Sequence, residues 1–472
     1  MDKFIYLDNA ATTKTSETVV EAMLPYFTEY YGNASGIYSI GVKSREAINN
    51  SRRIIADTIG ARPEEIYFTA GGTESDNWAL RAAAEMSGSF SAGNAPGRAE
   101  NSAAAARADD QAGSSAGTSK ADDRAGGSAG TSKADDRAGS SAITAKSACH
   151  TGNPAISSRA EPQIKNHIIT TRIEHHAILH TCEYLEKSGV KVTYLNVDEN
   201  GIVNLEELRR AIRPETFLIS VMFANNEIGS IQPIREIGEI AKEHGILFHT
   251  DAVQAYGQIP IDVEELHIDL MSASAHKLNG PKGVGFLYIR RNIRLRSLIH
   301  GGAQERHRRA GTENVPGIVG FGQAAKEAFE TMRQRAAYES GLRDILIDRI
   351  LREVPYARLN GHRTKRLPNN ANFSFQFIEG ETLLIMLDME GICGSSGSAC
   401  TTGSLDPSHV LLAIGLPDDL AHGSLRLTLS AETTREEIDV TVETVKKIVE
   451  RLRSMSPQYE DFCRRQEHAA TV

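Results

Sequence analysis

Four side chains stand where the surrounding sequence favours chemistry over packing. Lys277 sits in Ser272-Ala273-Ser274-Ala275-His276-Lys277-Leu278-Asn279-Gly280-Pro281-Lys282-Gly283, between small hydroxylated residues and a glycine-proline turn, directly after the apolar run at 268–271. A lysine in a partly desolvated loop can form a Schiff base, whereas a solvated one, with a pKa of about 10.4, stays protonated. A plain surface lysine in a turn fits this stretch equally well when it is taken alone. Asp251 follows the apolar run Ile246-Leu247-Phe248, and His175 follows His167-Ile168-Ile169-Thr170-Thr171. Cys400 lies in Gly394-Ser395-Ser396-Gly397-Ser398-Ala399-Cys400-Thr401-Thr402-Gly403, a glycine-punctuated loop that leaves a thiol accessible where a core cysteine would be inert.

The elements that must position these residues follow from the apolar pattern. Strands are predicted at 66–69, 167–171, 190–195, 216–223 and from 246 toward Asp251, with helices at 16–24, 44–59, 205–212 and 234–244 between or before them. The run 216–223 is continuously apolar, as in strands buried on both faces. Alternating strands and helices with short connections imply an α/β fold with an open, mostly parallel, seven-stranded type of sheet flanked by helices. In such sheets ligands sit beyond the carboxyl ends of the strands. Thr73, His175, Asn226, Asp251 and Gln254 all fall at such ends, and Lys277 lies beyond the next one.

Ala70-Gly71-Gly72-Thr73 joins a strand to a helix and aims backbone N–H groups at an anion; it lacks the Gly-Lys of a nucleotide-triphosphate loop. A lysine, a carboxylate able to pair with a ring nitrogen, an imidazole to stack on a ring and a phosphate cup are together what pyridoxal phosphate requires. The adjacent His175 and His176 do not share a helix face, and no acidic or cysteine partner has suitable spacing, so no metal site is expected.

The 472 residues exceed one ordinary domain, and the net charge of -9 argues against nucleic-acid binding. No apolar run reaches the ~20 residues of a membrane span, and no signal-peptide pattern stands at the N-terminus, so a cytoplasmic protein is expected. The cysteines at 149, 182, 393, 400 and 463 are scattered and do not resemble a disulfide framework. Between 91 and 142 there is no Val, Ile, Leu, Met, Phe, Tyr, Trp or Cys, and AGSSAGTSKADDR at 112–124 recurs as AGGSAGTSKADDR at 125–137. The charges of 87–163 balance, with eight of each sign. Such a stretch cannot bury enough apolar surface to offset its ordering entropy, and 87–163 is expected to be a disordered insert grown by duplication.

Eight blocks in order, YLDNAATT at Tyr6, GGTESDN at Gly71, Glu174-His175-His176, NNEIG at Asn225, HTDAVQ at His249, SASAHKLNGPKG at Ser272, RRAGTENV at Arg308 and SSGSACTTGSLDPSHVL at Ser395, resemble the cysteine desulfurases. These are class-V aminotransferase, fold-type I pyridoxal-phosphate enzymes, and the last block is similar to their long-loop branch, which feeds iron–sulfur assembly and tRNA thiolation. The resemblance implies that Lys277, Cys400 and His175 are catalytic. It places Thr73, Ser274 and His276 on the cofactor phosphate, Asp251 on the ring nitrogen, Gln254 and Asn226 near the ring hydroxyl, and His175 on the ring face. Arg426, with Asn226, would bind the substrate carboxylate. Thr312 would reach the phosphate of a neighbouring subunit, making a homodimer.

The implied reaction converts L-cysteine to L-alanine and leaves a persulfide on Cys400 for an acceptor such as an iron–sulfur scaffold or a thiolation protein. A selenocysteine lyase or other class-V lyase would share the cofactor residues, and a catalytically quiet sulfur-trafficking or scaffold component is the alternative outside enzymes. The expected division is a large cofactor domain over 15–332, interrupted by the insert, and a smaller α/β domain from 1–14 and 333–472 carrying the cysteine loop. Deleting 91–142 is expected to leave a soluble protein with nearly unchanged cysteine turnover, measured as alanine released.

Overall fold

The computed structural model describes residues 4–89, 165–396 and 407–471; residues 90–163 of the insert and Cys400 lie outside the described residues. Twelve strands are described: β1 Ile5–Tyr6, β2 Ile66–Thr69, β3 His167–Thr171, β4 Lys191–Leu195, β5 Thr216–Ser220, β6 Leu247–Asp251, β7 Leu270–Ser274, β8 Gly285–Ile289, β9 Ala357–Asn360, β10 Asn370–Phe375, β11 Ile392–Cys393 and β12 Ser424–Thr428. Seven of them form one sheet in the order β2-β8-β7-β6-β5-β3-β4. Its pairings are parallel except at β8, which runs antiparallel to both β2 and β7. Strands β2, β3, β5, β7 and β8 are buried along their whole length, because helices cover both faces and continuous apolar runs are then the stable choice.

The second sheet is antiparallel, in the order β12-β10-β9, and β1 pairs in parallel with β11. Helices 380–389 and 435–454 cover it, the latter started by a capping box in which Thr434 and Glu437 exchange side-chain-to-backbone hydrogen bonds. One helix, Val315–Glu353, belongs to both cores. Its first half, through Ile318, Phe321 and Ala325, packs with the seven-stranded sheet; its second half, through Leu346, Ile347 and Ile350, packs with the three-stranded one. The expected domain boundary at 332/333 falls inside this helix. No described helix is long and apolar enough to cross a membrane.

Local sequence placed most elements within a few residues, with differences that have physical causes. The helix expected at 44–59 begins at Ser39, because its first turn packs through Gly41, where a Cβ would lie 2.6 Å from the carbonyl oxygen of Asn33, and not through apolar side chains. Strand β8 and helix 315–353 received no assignment from the sequence. The helix carries Gly317, Gly320 and Gly322 in its early turns, which dilute both helix propensity and periodicity. Phe321 stacks on Phe286 of β8 with ring centroids 5.6 Å apart and meets Tyr256 edge-on at 6.1 Å. Phe321→Ala is expected to lower unfolding free energy by about 3–5 kcal/mol, read from denaturant unfolding of the purified chain.

Candidate active site

The carboxyl ends of β2, β3, β6 and β7 open on one side of the large sheet, and the side chains expected to act together extend from them. Asp251 is the last residue of β6, 6% exposed, and accepts a hydrogen bond from Val253 N at 2.8 Å. Burial raises its pKa to about 6, against the opposing pull of the Val253 N–H and the Lys277 charge. Lys277 ends a short 3-10 turn, Ala275–Lys277, that follows β7. Its ammonium donates to the carbonyl oxygens of Ala10 and, at 2.7 Å, Ala11.

His175 caps helix 176–186, its Nδ1 accepting from Ala177 N at 3.1 Å. Burial, followed by the positive charge of Lys277, lowers its pKa to about 4. The imidazole is therefore neutral near pH 7, and the Nδ1 acceptor role puts its proton on Nε2.

The expected anion cup forms at the start of helix 72–86. Gly71 takes φ 153°, a conformation that favours glycine. A Cβ on Gly72 would lie 2.6 Å from the Val253 side chain, so only glycine lets the chain pass here. The cleft at this helix end has a volume of about 500 Å³ and is lined by residues that include Thr12, Gly72, Thr73, Ser274, His276 and Lys282. Thr73, Ser274 and His276 are thus brought together as expected. His276 Nδ1 lies 3.2 Å from Thr12 Oγ1, and burial lowers its pKa to about 4. Lys282 was not singled out in the sequence, although it lies within the same glycine-proline turn.

Gln254 Nε2 donates to Ala10 O at 3.0 Å. Arg426, on β12 of the other sheet, is 2% exposed; its Nη1 donates to Asn226 O at 2.9 Å and its Nη2 pairs with Asp8 Oδ1 at 2.7 Å. Asn226 meets Arg426 through its backbone. Thr312 is exposed and does not line the cleft, although Arg309, three residues before it, pairs with Glu74 in the first turn of helix 72–86 at 2.9 Å. Cys400 lies outside the described residues.

Two groups of residues escaped the sequence reading. One is the segment Asp8–Thr13, which enters the sequence reading only as part of the YLDNAATT block with no role given to its residues, and to which Lys277, Gln254, His276 and Arg426 are all bonded. The other is a set of buried acids. Asp76 Oδ1 lies 3.7 Å from His249 Nε2, and burial with the nearby Asp251 charge raises the Asp76 pKa well above the ordinary carboxylate range. Glu174 Oε1 accepts from Thr171 Oγ1 at 2.7 Å and Met222 N at 3.0 Å, while its Oε2 has no partner among the described residues. Burial raises the Glu174 pKa to about 8. Nothing in a local window marks Asp76, between Ser75 and Asn77, or Glu174, just before two histidines, as buried.

The sequence matches the family described as Aminotransferase class-V over residues 5–94 and 143–440. The chain belongs to the class-V aminotransferase family. The gap between the two matched stretches, 95–142, falls within the low-complexity stretch. Within this family the chain is 48% identical to a cysteine desulfurase IscS of Methanosarcina thermophila, covering 97% of this chain and 94% of that protein. It is 47% identical to a cysteine desulfurase IscS of Clostridium botulinum strain Hall, covering 99% of this chain and all of that one. A solved NifS-like protein superposes with a TM-score of 0.74 at 34% identity, over 95% of this chain and 100% of the other. The structure titled SspA in complex with cysteine matches at 0.67 and 32%, over 91% and 100%. Class-V aminotransferases of the desulfurase group are pyridoxal-phosphate enzymes.

Glu174 yields a stability signature. A carboxyl whose folded pKa is raised contributes stability that is complete below its unfolded value and lost as pH rises through the folded value. For Glu174 that window runs from 4.5 to about 8. Glu174→Gln keeps an oxygen for Thr171 and Met222, so in the cofactor-free chain it is expected to match the parent near pH 4.5 and to exceed it in denaturant stability at pH 8.

Proposed function

We propose that this chain is a pyridoxal-phosphate-dependent cysteine desulfurase that converts L-cysteine to L-alanine and takes the sulfur as a persulfide on Cys400. The observation that carries the reading is the convergence of Lys277, Asp251 and His175 at strand ends beside a glycine-floored anion cleft.

The residues present fit pyridoxal phosphate. Asp251 is a buried carboxylate raised to about 6 by desolvation, a penalty that a ring N–H⁺ relieves. The cleft proposed for the phosphate is lined by Gly71, Gly72, Thr73, Ser274 and His276 at the start of helix 72–86, where backbone N–H groups are unpaired by the helix. Lys277 would hold the cofactor, with Thr73, Ser274 and His276 on the phosphate, Gln254 and Asn226 beside the ring hydroxyl, and His175 on the ring face. Bound there, the cofactor supplies an electron sink for substrate Cα.

The chain's own residues do the rest. Arg426 binds the substrate carboxylate with a planar fork of N–H donors, and Asn226 fixes that fork through its carbonyl. Lys277 Nζ takes the Cα proton. The neutral His175 bears its proton at Nε2 and would lie on the ring face without adding charge. The Cys400 thiolate attacks the substrate sulfur: an S–S bond forms, the C–S bond breaks, its electron pair stays on carbon, and a proton completes alanine. Ser395, five residues before Cys400, donates its backbone N–H to Arg426 O at 3.1 Å, which anchors the start of the cysteine loop beside the carboxylate site.

The expected division into domains puts Lys277 in the larger and Arg426 with Cys400 in the smaller. The exposed Leu24, Phe27, Tyr31, Ile37 and Tyr38, with Ile37 at 95%, support burial against a second copy, and the exposed Thr312 is then available to that copy's phosphate cleft. A sulfur acceptor of the iron–sulfur scaffold or thiolation class in the cytoplasm completes the reading.

Lys277→Ala is expected to abolish the visible absorbance of the lysine-bound cofactor and to lower alanine formation by about 10²-fold or more. Cys400→Ser is expected to keep that absorbance and lose the persulfide, detected by thiol-specific labelling. Full desulfurase turnover by Cys400→Ser would overturn the proposal.

A further inference from the structure

Arg426 is sealed. Its side chain is 2% exposed, one Nη donates to the fixed backbone carbonyl of Asn226, and the other is paired with Asp8 at 2.7 Å. Its Nε has no hydrogen-bond partner among the described residues. The side chain of Asp8 is 18% exposed, so the aspartate is the more solvent-accessible member of the pair. The backbone of Asp8 is pinned on both sides: Asp8 bridges Thr428, Asn9 Nδ2 donates to Thr428 O at 2.8 Å, and the Asp8 carbonyl accepts from Tyr6 Oη at 3.2 Å. The chain here is held in place, and rotation of the Asp8 side chain is the simplest way to uncover the guanidinium.

We propose that Asp8 is a further residue of the substrate-carboxylate site: its carboxylate occupies Arg426 as a built-in competitor that any substrate carboxylate must displace. This rests on the reading that Arg426 receives the substrate carboxylate. A simple carboxylate that enters merely exchanges one charge-assisted hydrogen bond for another and gains little net free energy. An amino acid with further contacts, through its amine and thiol, offsets the displacement and binds. The pair therefore raises the apparent dissociation constant of every carboxylate by a common factor and keeps the buried guanidinium compensated when no substrate is present.

The test uses the cofactor-loaded full chain. Asp8→Asn keeps the shape and replaces a charged acceptor by a neutral one. The proposal expects KM for L-cysteine and the inhibition constant of propionate each to fall by roughly three- to tenfold, the effect of weakening one charge-assisted hydrogen bond. The dissociation constant of cysteamine, which has the amine and thiol but no carboxylate, should stay unchanged. Saturating propionate should raise the melting temperature of Asp8→Asn more than that of the parent, because it restores a counter-ion to Arg426. Unchanged or raised KM and propionate constants in a folded Asp8→Asn protein would overturn the proposal; if that variant does not fold, Asp8→Ser is measured against the same expectations. Arg426→Gln separates this from the underlying reading: if it leaves the propionate constant and KM of the parent unchanged, the carboxylate does not bind Arg426 at all.

Discussion

Two buried or half-buried cations, Lys277 and Arg426, are held by one short stretch of chain. Segment Asp8–Thr13 offers the Ala10 and Ala11 carbonyls to Lys277, the Asp8 carboxylate to Arg426, the Ala10 carbonyl to Gln254 and the Thr12 hydroxyl to His276. It is itself tied at both ends. Ala10 N donates to Thr428 Oγ1 at 2.9 Å on the small sheet, and Thr13 N donates to His276 O at 2.9 Å beyond the large one. Cations deprived of water need acceptors in fixed positions, and a segment whose carbonyls are released from any helix or strand can supply them.

The surroundings have the opposite problem. Asp251, Asp76 and Glu174 are carboxyls taken out of water near one another, and burial raises the pKa of each. His249, lowered to about 3 by burial, stays neutral between Ser220 and Ser272 and adds no compensating charge. In such an interior the ionised state goes to the carboxyl that finds a cation. Burial raises Asp251 as well, but the Val253 N–H and the Lys277 charge pull against that rise and favour its ionised form.

The long helix 315–353 explains how two sheets of different type can share one site. It packs its first half on the parallel sheet and its second half on the antiparallel one, so the strand end bearing Asp251 and the strand bearing Arg426 are set by a common rod. Periodicity did not reveal this, because the buried stripe from Val315 to Ile350 is diluted by Gly317, Gly320 and Gly322 and interrupted by Glu339 and Arg343. Strand β8, the apolar run Gly285–Ile289, is a strand signal in its own right; what composition does not carry is its antiparallel pairing with β2 and β7.

The amino-acid sequence by itself determined the reactive side chains, the alternation that makes a mostly parallel sheet, and the placement of Thr73, His175, Asp251 and Lys277 beyond strand ends. Each of these rests on local patterns of a few residues: apolar strand, polar end, glycine turn, helix start. Tertiary structure decided what those patterns cannot carry. The pairing of Asp8 with Arg426 joins residues 418 apart in sequence, and the contact of Lys277 with Ala10 spans 267. Both are hydrogen bonds made by a loop of small residues whose local sequence requires no particular partner, so they exist only once both sheets are in place. The fold supplies Lys277 and Arg426 with the acceptors that hold them.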